Sequence, residues 1–231
     1  MKRLLSLVPE TTVVVRPEEK EEYLREVPEN QLVILPDSVK NYVDTLQWCF
    51  DNFSERVLVN IDDDLVAVYC LIGNSCRTIT DAAAIRQIIE NSAQICLDLD
   101  IKAFGYCRNL RRGLFGDESN FIKFNFFMSS AWGVVGRPFR YSAELTAMSD
   151  IDNTLKVLAD YRIIYSDGRF YFNHGLVCGG KGGLQKIRTT EKQDNDIKIL
   201  KKRWGNLINI TRKINTIWVS LNVPRKANVL F

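Results

Sequence analysis

The chain has few of the residues that build the commonest metal and redox sites. Histidine occurs once, at His174, and no two of its six cysteines have the C-x-x-C spacing. A site built from several histidines is therefore excluded, and the scattered cysteines predict reduced core residues instead of a zinc site or a disulfide framework. Long apolar runs are also missing: no stretch approaches the roughly 20 residues of a membrane span, and Pro9 and Glu10 come too early for a secretory signal. We therefore expect a cytoplasmic protein with no membrane partner.

The composition is that of a folded protein with an uneven charge distribution. Of 231 residues, 46% are apolar, which predicts one domain over residues 1–231, with a core of about 12–189 and a basic C-terminal helical extension of about 190–231. Acidic residues exceed basic ones by seven in residues 1–64, and basic residues exceed acidic ones by nine in residues 178–231. The basic end predicts a polyanionic partner, although a solvated helical face explains it equally well.

Strand and helix patterns alternate in the first 65 residues. Apolar runs at 12–16, 31–35 and 57–61 predict strands, and helical patterns at 17–26 and 38–53, the second capped by Ser38, lie between them. This alternation predicts an α/β fold with a mostly parallel central sheet flanked by helices. Later segments predict a helix at 82–97, a strand at 103–107, strands within 121–128 and 133–139, a helix at 151–159, a hairpin turned at Asp167-Gly168 and a basic helix at 190–204.

Three consecutive carboxylates, Asp62, Asp63 and Asp64, follow the apolar strand at 57–61. In open α/β sheets, ligands bind beyond the carboxyl ends of the strands, and adjacent acids repel one another unless a cation or donors compensate. Side chains at i and i+2 of an extended segment point the same way, so Asp62 and Asp64 can share one hard cation while Asp63 faces elsewhere. The alternative is a polar turn in which an Asp caps the next helix.

Four local patterns, in this order, resemble the GT-A fold of nucleotide-sugar glycosyltransferases. They are the Asp62–Asp64 run, similar to the DxD motif; Ser149-Asp150-Ile151-Asp152, which opens a helix of the form D-x-D-x-x-L-x-x-L; His174 after the following strand; and a glycine-rich loop with Arg188 beyond it. More narrowly, residues 12–204 resemble the TET-associated glycosyltransferase family of bacteriophages, which is linked to sugar addition on modified DNA bases. The resemblance implies a GT-A-like single domain that acts in the cytoplasm of a phage host.

The resemblance also implies roles for the acidic residues and for His174. A divalent ion, Mn²⁺ or Mg²⁺, neutralises a diphosphate leaving group as a Lewis acid. Asp64 is then the first metal ligand, Asp62 shares the ion or bonds the ribose, and His174 completes the shell, which suits Mn²⁺. The alternative for a single histidine on a strand is a structural hydrogen bond. Asp150 or Asp152 would serve as the base that deprotonates the acceptor hydroxyl, although an N-cap role suits Asp150 equally well.

Further residues are expected to bind the nucleotide-sugar, for which a UDP-linked donor is predicted. They are Arg16 at the base and ribose, Asp63 at backbone donors, and Gly180, Lys181 and Arg188 at phosphate. Arg16 could instead pair with the acids of residues 18–22, and the glycine run could be a flexible loop.

Two basic groups are predicted to contact the phosphates of double-stranded DNA: Arg108, Arg111 and Arg112 in a loop, and Lys201, Lys202 and Arg203 on the late helix. A modified base would then be flipped toward the sugar. The expected function is metal-dependent sugar transfer to a hydroxyl on a modified base such as a 5-hydroxymethylpyrimidine. The alternatives are a glycosyltransferase acting on a small molecule or surface glycan, and a non-enzymatic nucleic-acid-binding protein.

Overall fold

The computed structural model of the chain describes residues 1–72, 75–107, 121–122, 127–174, 190–213 and 216–223. Two groups of predicted site residues lie outside these ranges and stay predictions: Arg108, Arg111 and Arg112 for DNA, and Gly180, Lys181 and Arg188 for phosphate.

The described residues contain six α-helices and eleven strands. The helices are α1 (Lys2–Leu7), α2 (Lys20–Tyr23), α3 (Tyr42–Asn52), α4 (Ala82–Asp98), α5 (Ser149–Tyr161) and α6 (Thr190–Trp204). The strands are β1 (Val13–Val15), β2 (Leu32–Ile34), β3 (Val57–Ile61), β4 (Leu65–Ile72), β5 (Ser75–Ile79), β6 (Ala103–Cys107), β7 (Phe121–Ile122), β8 (Ala131–Val135), β9 (Ile164–His174), β10 (Ile208–Lys213) and β11 (Thr216–Leu221).

The central sheet is mixed, so the predicted α/β class is confirmed but its mostly parallel character is not. Six strands follow the order β3-β8-β6-β9-β4-β5, and β7 pairs with β9 beside this path. Of the five neighbouring pairs in that order, β6–β9 is parallel and the other four are antiparallel. The prediction relied on β1 and β2, which do pair in parallel but form a separate two-stranded sheet. The hairpin β4–β5 extends the central sheet beside β9 instead.

Two local predictions are corrected. The helix α3 begins at Tyr42 and not near Ser38, because Asn41 caps it: the Asn41 side chain accepts the amide of Asp44 at 3.0 Å. The expected hairpin at Asp167-Gly168 is instead one continuous strand, β9.

The turn residues Asp167 and Gly168 form a bulge within β9. Pairing with β6 steps from Tyr106–Asp167 directly to Cys107–Tyr171, so residues 168–170 are extra. The buried Asp167 carboxylate holds the bulge, because it accepts the Arg169 backbone amide at 3.1 Å and the guanidinium at 2.8 and 2.6 Å. A turn signal in the sequence thus becomes a bulge where both flanks pair with other strands.

Apolar clusters cover both faces of the central sheet. Neighbouring residues of β6 point to opposite faces, and Ala103 belongs to the cluster that includes α3 and α5, whereas Phe104 belongs to the cluster that includes α1 and α4. The sheet is therefore packed between two helical layers. Gly133 of β8 allows this packing, since a Cβ at that position would overlap the ring of Phe104.

The C-terminal part of the described chain packs against α5. The predicted basic helix at 190–204 is confirmed as α6, and the hairpin β10–β11 follows it. The cluster that joins them to α5 consists of Leu145, Met148, Ile151, Leu155, Ile197, Leu200 and Ile208. Among the described residues, no helix has the length and apolar character needed to cross a membrane.

Candidate functional site

The carboxylate turn joins two distant parts of the central sheet. Beyond the end of β3, the Asp62 amide donates to the Ser130 carbonyl at 2.9 Å, just before β8, and the Leu65 amide closes the turn on the Asp62 carbonyl at 3.2 Å. Leu65 then pairs with His174 at the end of β9. The turn therefore places the three predicted carboxylates between the start of β8 and the end of β9, beside the one histidine of the chain.

His174 lies within electrostatic reach of the carboxylates. The Ser130 hydroxyl contacts its Nδ1 atom, which orients the imidazole. Burial raises the pKa of Asp64, His174 opposes that rise, and Asp63 adds to it. Asp64 and His174, predicted from separate segments to share a cation, are thus brought to one end of the sheet.

Asp62 is the most strongly perturbed acid of the turn. Burial raises its pKa to about 7, Asp64 and Asp63 add to the rise by charge repulsion, and the Asn60 amide opposes it. The Asn60 Nδ2 atom lies 3.5 Å from Asp62 Oδ1. Acids that are desolvated and close enough to repel one another are the arrangement that a bound cation relieves.

Two tyrosines that sequence reasoning did not assign to the site contact this turn. The Tyr23 hydroxyl donates to Asp63 Oδ2 at 3.2 Å, and the pKa of Tyr23 is raised to about 12, by burial first and then by Asp63. For Tyr42, burial and the charges of Asp62, Asp150 and Asp63 raise the pKa, while Asn60 opposes the rise. Both phenols therefore stay protonated donors. Tyr42 looked like one more apolar residue at helical spacing, and no pattern marked either tyrosine.

Tyr42 links the carboxylate turn to the start of α5. Its hydroxyl interacts electrostatically with Asp62 and Asp63 on one side and with Asp150 on the other. The residue nevertheless keeps 38% of its surface exposed, so it borders open solvent. The half-buried Asp150 and the carboxylate turn therefore both lie within electrostatic reach of Tyr42.

The carboxylate of Asp152, the second predicted base, accepts hydrogen bonds from four side chains within the protein. Its side chain is 1% exposed, and it accepts hydrogen bonds from Lys156 at 2.8 Å, Ser142 at 2.7 Å, Arg203 at 2.7 Å and Trp204 at 2.8 Å. Burial alone would raise the pKa of Asp152, but these four donors together hold it below its usual value. The Asp152 carboxylate is thus already occupied by donors within the protein, whereas Asp150, the other predicted base, stays a prediction.

The three basic residues predicted at the end of α6 differ in their contacts. Lys201 and Lys202 are exposed on the last turn of α6. Arg203 is also exposed, but its guanidinium pairs with Asp152 and Glu144, and its predicted contact with DNA stays a prediction.

Arg16 follows its alternative prediction, pairing with the acidic stretch. It bonds Glu19 at 2.6 Å and lies 3.4 Å from Glu18. The hydrogen bond that Arg16 donates to Glu19 raises the pKa of the guanidinium, and burial opposes this rise. Arg16 also interacts electrostatically with Tyr23, whose hydroxyl donates to Asp63 of the carboxylate turn.

The donors of the turn fit a divalent cation only in part. Carboxylates and one imidazole are suitable ligands for Mn²⁺ and Mg²⁺. However, within the described ranges, no three His, Cys, Asp or Glu side chains form a group that could hold a metal ion. The described residues therefore offer an incomplete ligand set for such a site.

Comparison with known proteins found no matching family model, no matching curated protein and no matching solved structure.

Proposed function

We propose that the chain is a metal-dependent glycosyltransferase that moves a sugar from a nucleotide-sugar donor, UDP-linked, to a hydroxyl on a modified DNA base. One observation carries the proposal: the turn of Asp62, Asp63 and Asp64 lies beside His174, and Tyr42 interacts electrostatically both with this turn and with Asp150 at the start of α5. This arrangement supports a donor site and an acceptor base in one cleft.

The incomplete ligand set suits a nucleotide substrate. Mg²⁺ in phosphoryl sites is commonly held by one or two carboxylates together with substrate phosphates. Asp64 and His174 would contribute ligands to the metal, Asp62 would share the ion or bond the ribose, and the donor diphosphate would supply the remaining oxygens. When bound, the ion would neutralise charge on the leaving diphosphate. Binding of the ion also favours ionised Asp62, which the metal-free site disfavours.

Other residues of the chain orient and deprotonate the acceptor. Asp150 would accept the proton of the acceptor hydroxyl, since it is the half-buried acid that opens α5 on the cleft. The Tyr42 phenol, held protonated by the acids around it, would donate a hydrogen bond within the cleft. The exposed Lys201 and Lys202 would contact DNA phosphates.

Titration calorimetry tests the donor site by comparing the binding of Mn²⁺ and UDP measured separately and together. If the diphosphate completes the metal shell, Mn²⁺ alone should bind weakly, UDP alone should bind weakly, and the two together should bind at least tenfold more tightly. Asp64→Asn should abolish this synergy, and His174→Ala should raise the Mn²⁺ concentration required. Asp160→Asn, a matched loss of one exposed acid on α5, should change nothing.

Transfer itself is tested by nucleoside mass spectrometry after incubating hydroxymethylated DNA with a panel of nucleotide sugars. A hexose or pentose mass added to the modified nucleoside is expected. Synergistic UDP and Mn²⁺ binding without DNA modification would favour a small-molecule or glycan acceptor. Salt-sensitive DNA binding with no nucleotide binding would contradict the proposal and favour the non-enzymatic alternative.

A further inference from the structure

The segment that leads into α5 is held by a carboxylate from α6. Asp196 is completely buried and accepts three consecutive backbone amides, from Thr146 at 3.2 Å, Ala147 at 2.7 Å and Met148 at 3.1 Å. The helix α5 has no side-chain cap of its own at Met148. Asp196 therefore does not cap the amides of the first turn, as a local Ser, Asp or Asn would, but holds from another helix the three residues that lead into α5.

A second contact from α6 holds the first turn of α5. Arg203 Nη1 lies 2.7 and 2.8 Å from the two oxygens of Asp152, and the Trp204 indole donates to Oδ1 at 2.8 Å. Lys156 and Ser142 satisfy the same carboxylate from the side of α5. Because Asp152 is buried, removing Arg203 would leave its charge compensated by Lys156 alone, and weakening the compensation of a buried charge costs more than losing an exposed ion pair.

The two contacts bracket Asp150. Asp196 and Arg203 are seven residues apart on α6, which corresponds to about 10 Å along the helix. They hold residues 146–148 and residue 152, and the segment between them is Ser149-Asp150-Ile151. The apolar cluster of Ile151, Leu155, Ile197 and Leu200 keeps the two helices packed. The backbone position of Asp150 is therefore determined by α6.

We propose that α6 is the element that positions Asp150, and that Asp196 and Arg203 are positioning residues of the site. The catalytic consequence rests on the proposed function. The structural part does not depend on it: loss of either contact frees the first turn of α5 while the helices stay packed. This assigns the most basic segment of the chain a role beyond contact with a polyanion, carried by its buried Asp196 and by Arg203, which pairs with the buried Asp152.

Hydrogen exchange measured by mass spectrometry tests the structural part. In Asp196→Asn, and more strongly in Asp196→Ala, exchange of the amides in residues 146–153 should accelerate at least tenfold, while peptides from α4 at residues 82–98 stay unchanged. The control is Asp194→Asn, an acid of the same helix that pairs with Arg212 on β10 and does not contact residues 146–148. It should leave 146–153 protected. Equal acceleration in all peptides, or none in 146–153, would overturn the proposal.

Steady-state kinetics tests the catalytic part. Arg203→Met should lower kcat at least tenfold with little change in the KM for the donor, and Arg203→Lys, which keeps one charge, should recover part of the loss. Loss of folded protein alone would also lower the apparent kcat at unchanged KM, so kcat is calculated per site that binds UDP with Mn²⁺ in calorimetry. A kcat per binding site equal to that of the wild type would overturn the catalytic part. If the wild-type protein transfers no sugar, the proposed function fails, yet the exchange experiment still decides whether α6 holds the start of α5.

Discussion

Asp62 should destabilise the metal-free protein at neutral pH, so Asp62→Asn is expected to stabilise it. Burial and the neighbouring acids raise the Asp62 pKa from 3.8 to about 7. At about 1.4 kcal/mol per pKa unit, the full shift corresponds to a ceiling of about 4 kcal/mol, reduced by any relaxation of the turn. Asparagine keeps the shape of the side chain and removes the charge that the site disfavours.

The sign follows from proton binding. Below about pH 3.8, Asp62 is protonated in both states and the folded protein has its full stability. As pH rises toward 7, the unfolded chain releases this proton before the folded one does, so stability is lost, and above the folded pKa the loss is complete. The amide introduced by Asp62→Asn does not titrate. The advantage of the variant should therefore grow between pH 5 and pH 8, by at most about 3 kcal/mol.

Urea denaturation in a chelating buffer at pH 5 and pH 8 measures this difference. Asp160→Asn, which removes an exposed acid, is the control and should show no such growth. Adding Mn²⁺ and UDP should then stabilise the wild-type protein and not Asp62→Asn, because the ligand requires the charge. If Asp62→Asn were equally destabilising at both pH values, the reasoning about repulsion within the turn would be refuted.

Four further substitutions test the packing and the chemistry. Gly133→Ala should cost about 2 kcal/mol or more because its Cβ would overlap the Phe104 ring, whereas Gly168→Ala, with no heavy atom within 4 Å, should stay within about 0.5 kcal/mol in thermal unfolding. Asp152→Asn should cost about 3 kcal/mol at pH 7 by urea denaturation. Because the Asp152 pKa is lowered, the wild type should lose this advantage as pH falls below about 3.8; an advantage unchanged at pH 3 would contradict the ion-pair assignment. Asp150→Asn should reduce turnover by about 10²–10⁴ with UDP binding intact, and nearly full activity would remove Asp150 as the base.

Local patterns predicted most of the elements near the site. The strand β3, the helix α4 with its Asp81 cap, the start of α5 and the bounds of α6 all depend on residues close together in the chain, through apolar spacing and capping chemistry. Local patterns did not predict the hairpin β4–β5, and they predicted a hairpin where β9 has a bulge. Both errors concern which strand pairs with which, and pairing partners are distant in sequence.

The candidate site likewise combines residues that local sequence patterns predict with residues that they do not. Asp62, Asp63, Asp64, His174 and Asp150 were recognisable as chemistry because carboxylates after a buried strand and at a helix start are local signals. Tyr23 and Tyr42 carry no such signal, since a tyrosine at helical spacing packs or binds according to what lies opposite it.

The sequence by itself determined which side chains are available and where the chain can form strands, helices and caps, since those depend on neighbours within a few residues. Tertiary structure alone decided which of the charged groups are buried in ion pairs. Asp150 and Asp152 are two residues apart in the same acidic motif, yet only the second is buried against Arg203 and Trp204. The reason is that burial and ion pairing depend on contacts from α6, which is distant in the sequence, and a charge placed in that interface must be compensated there.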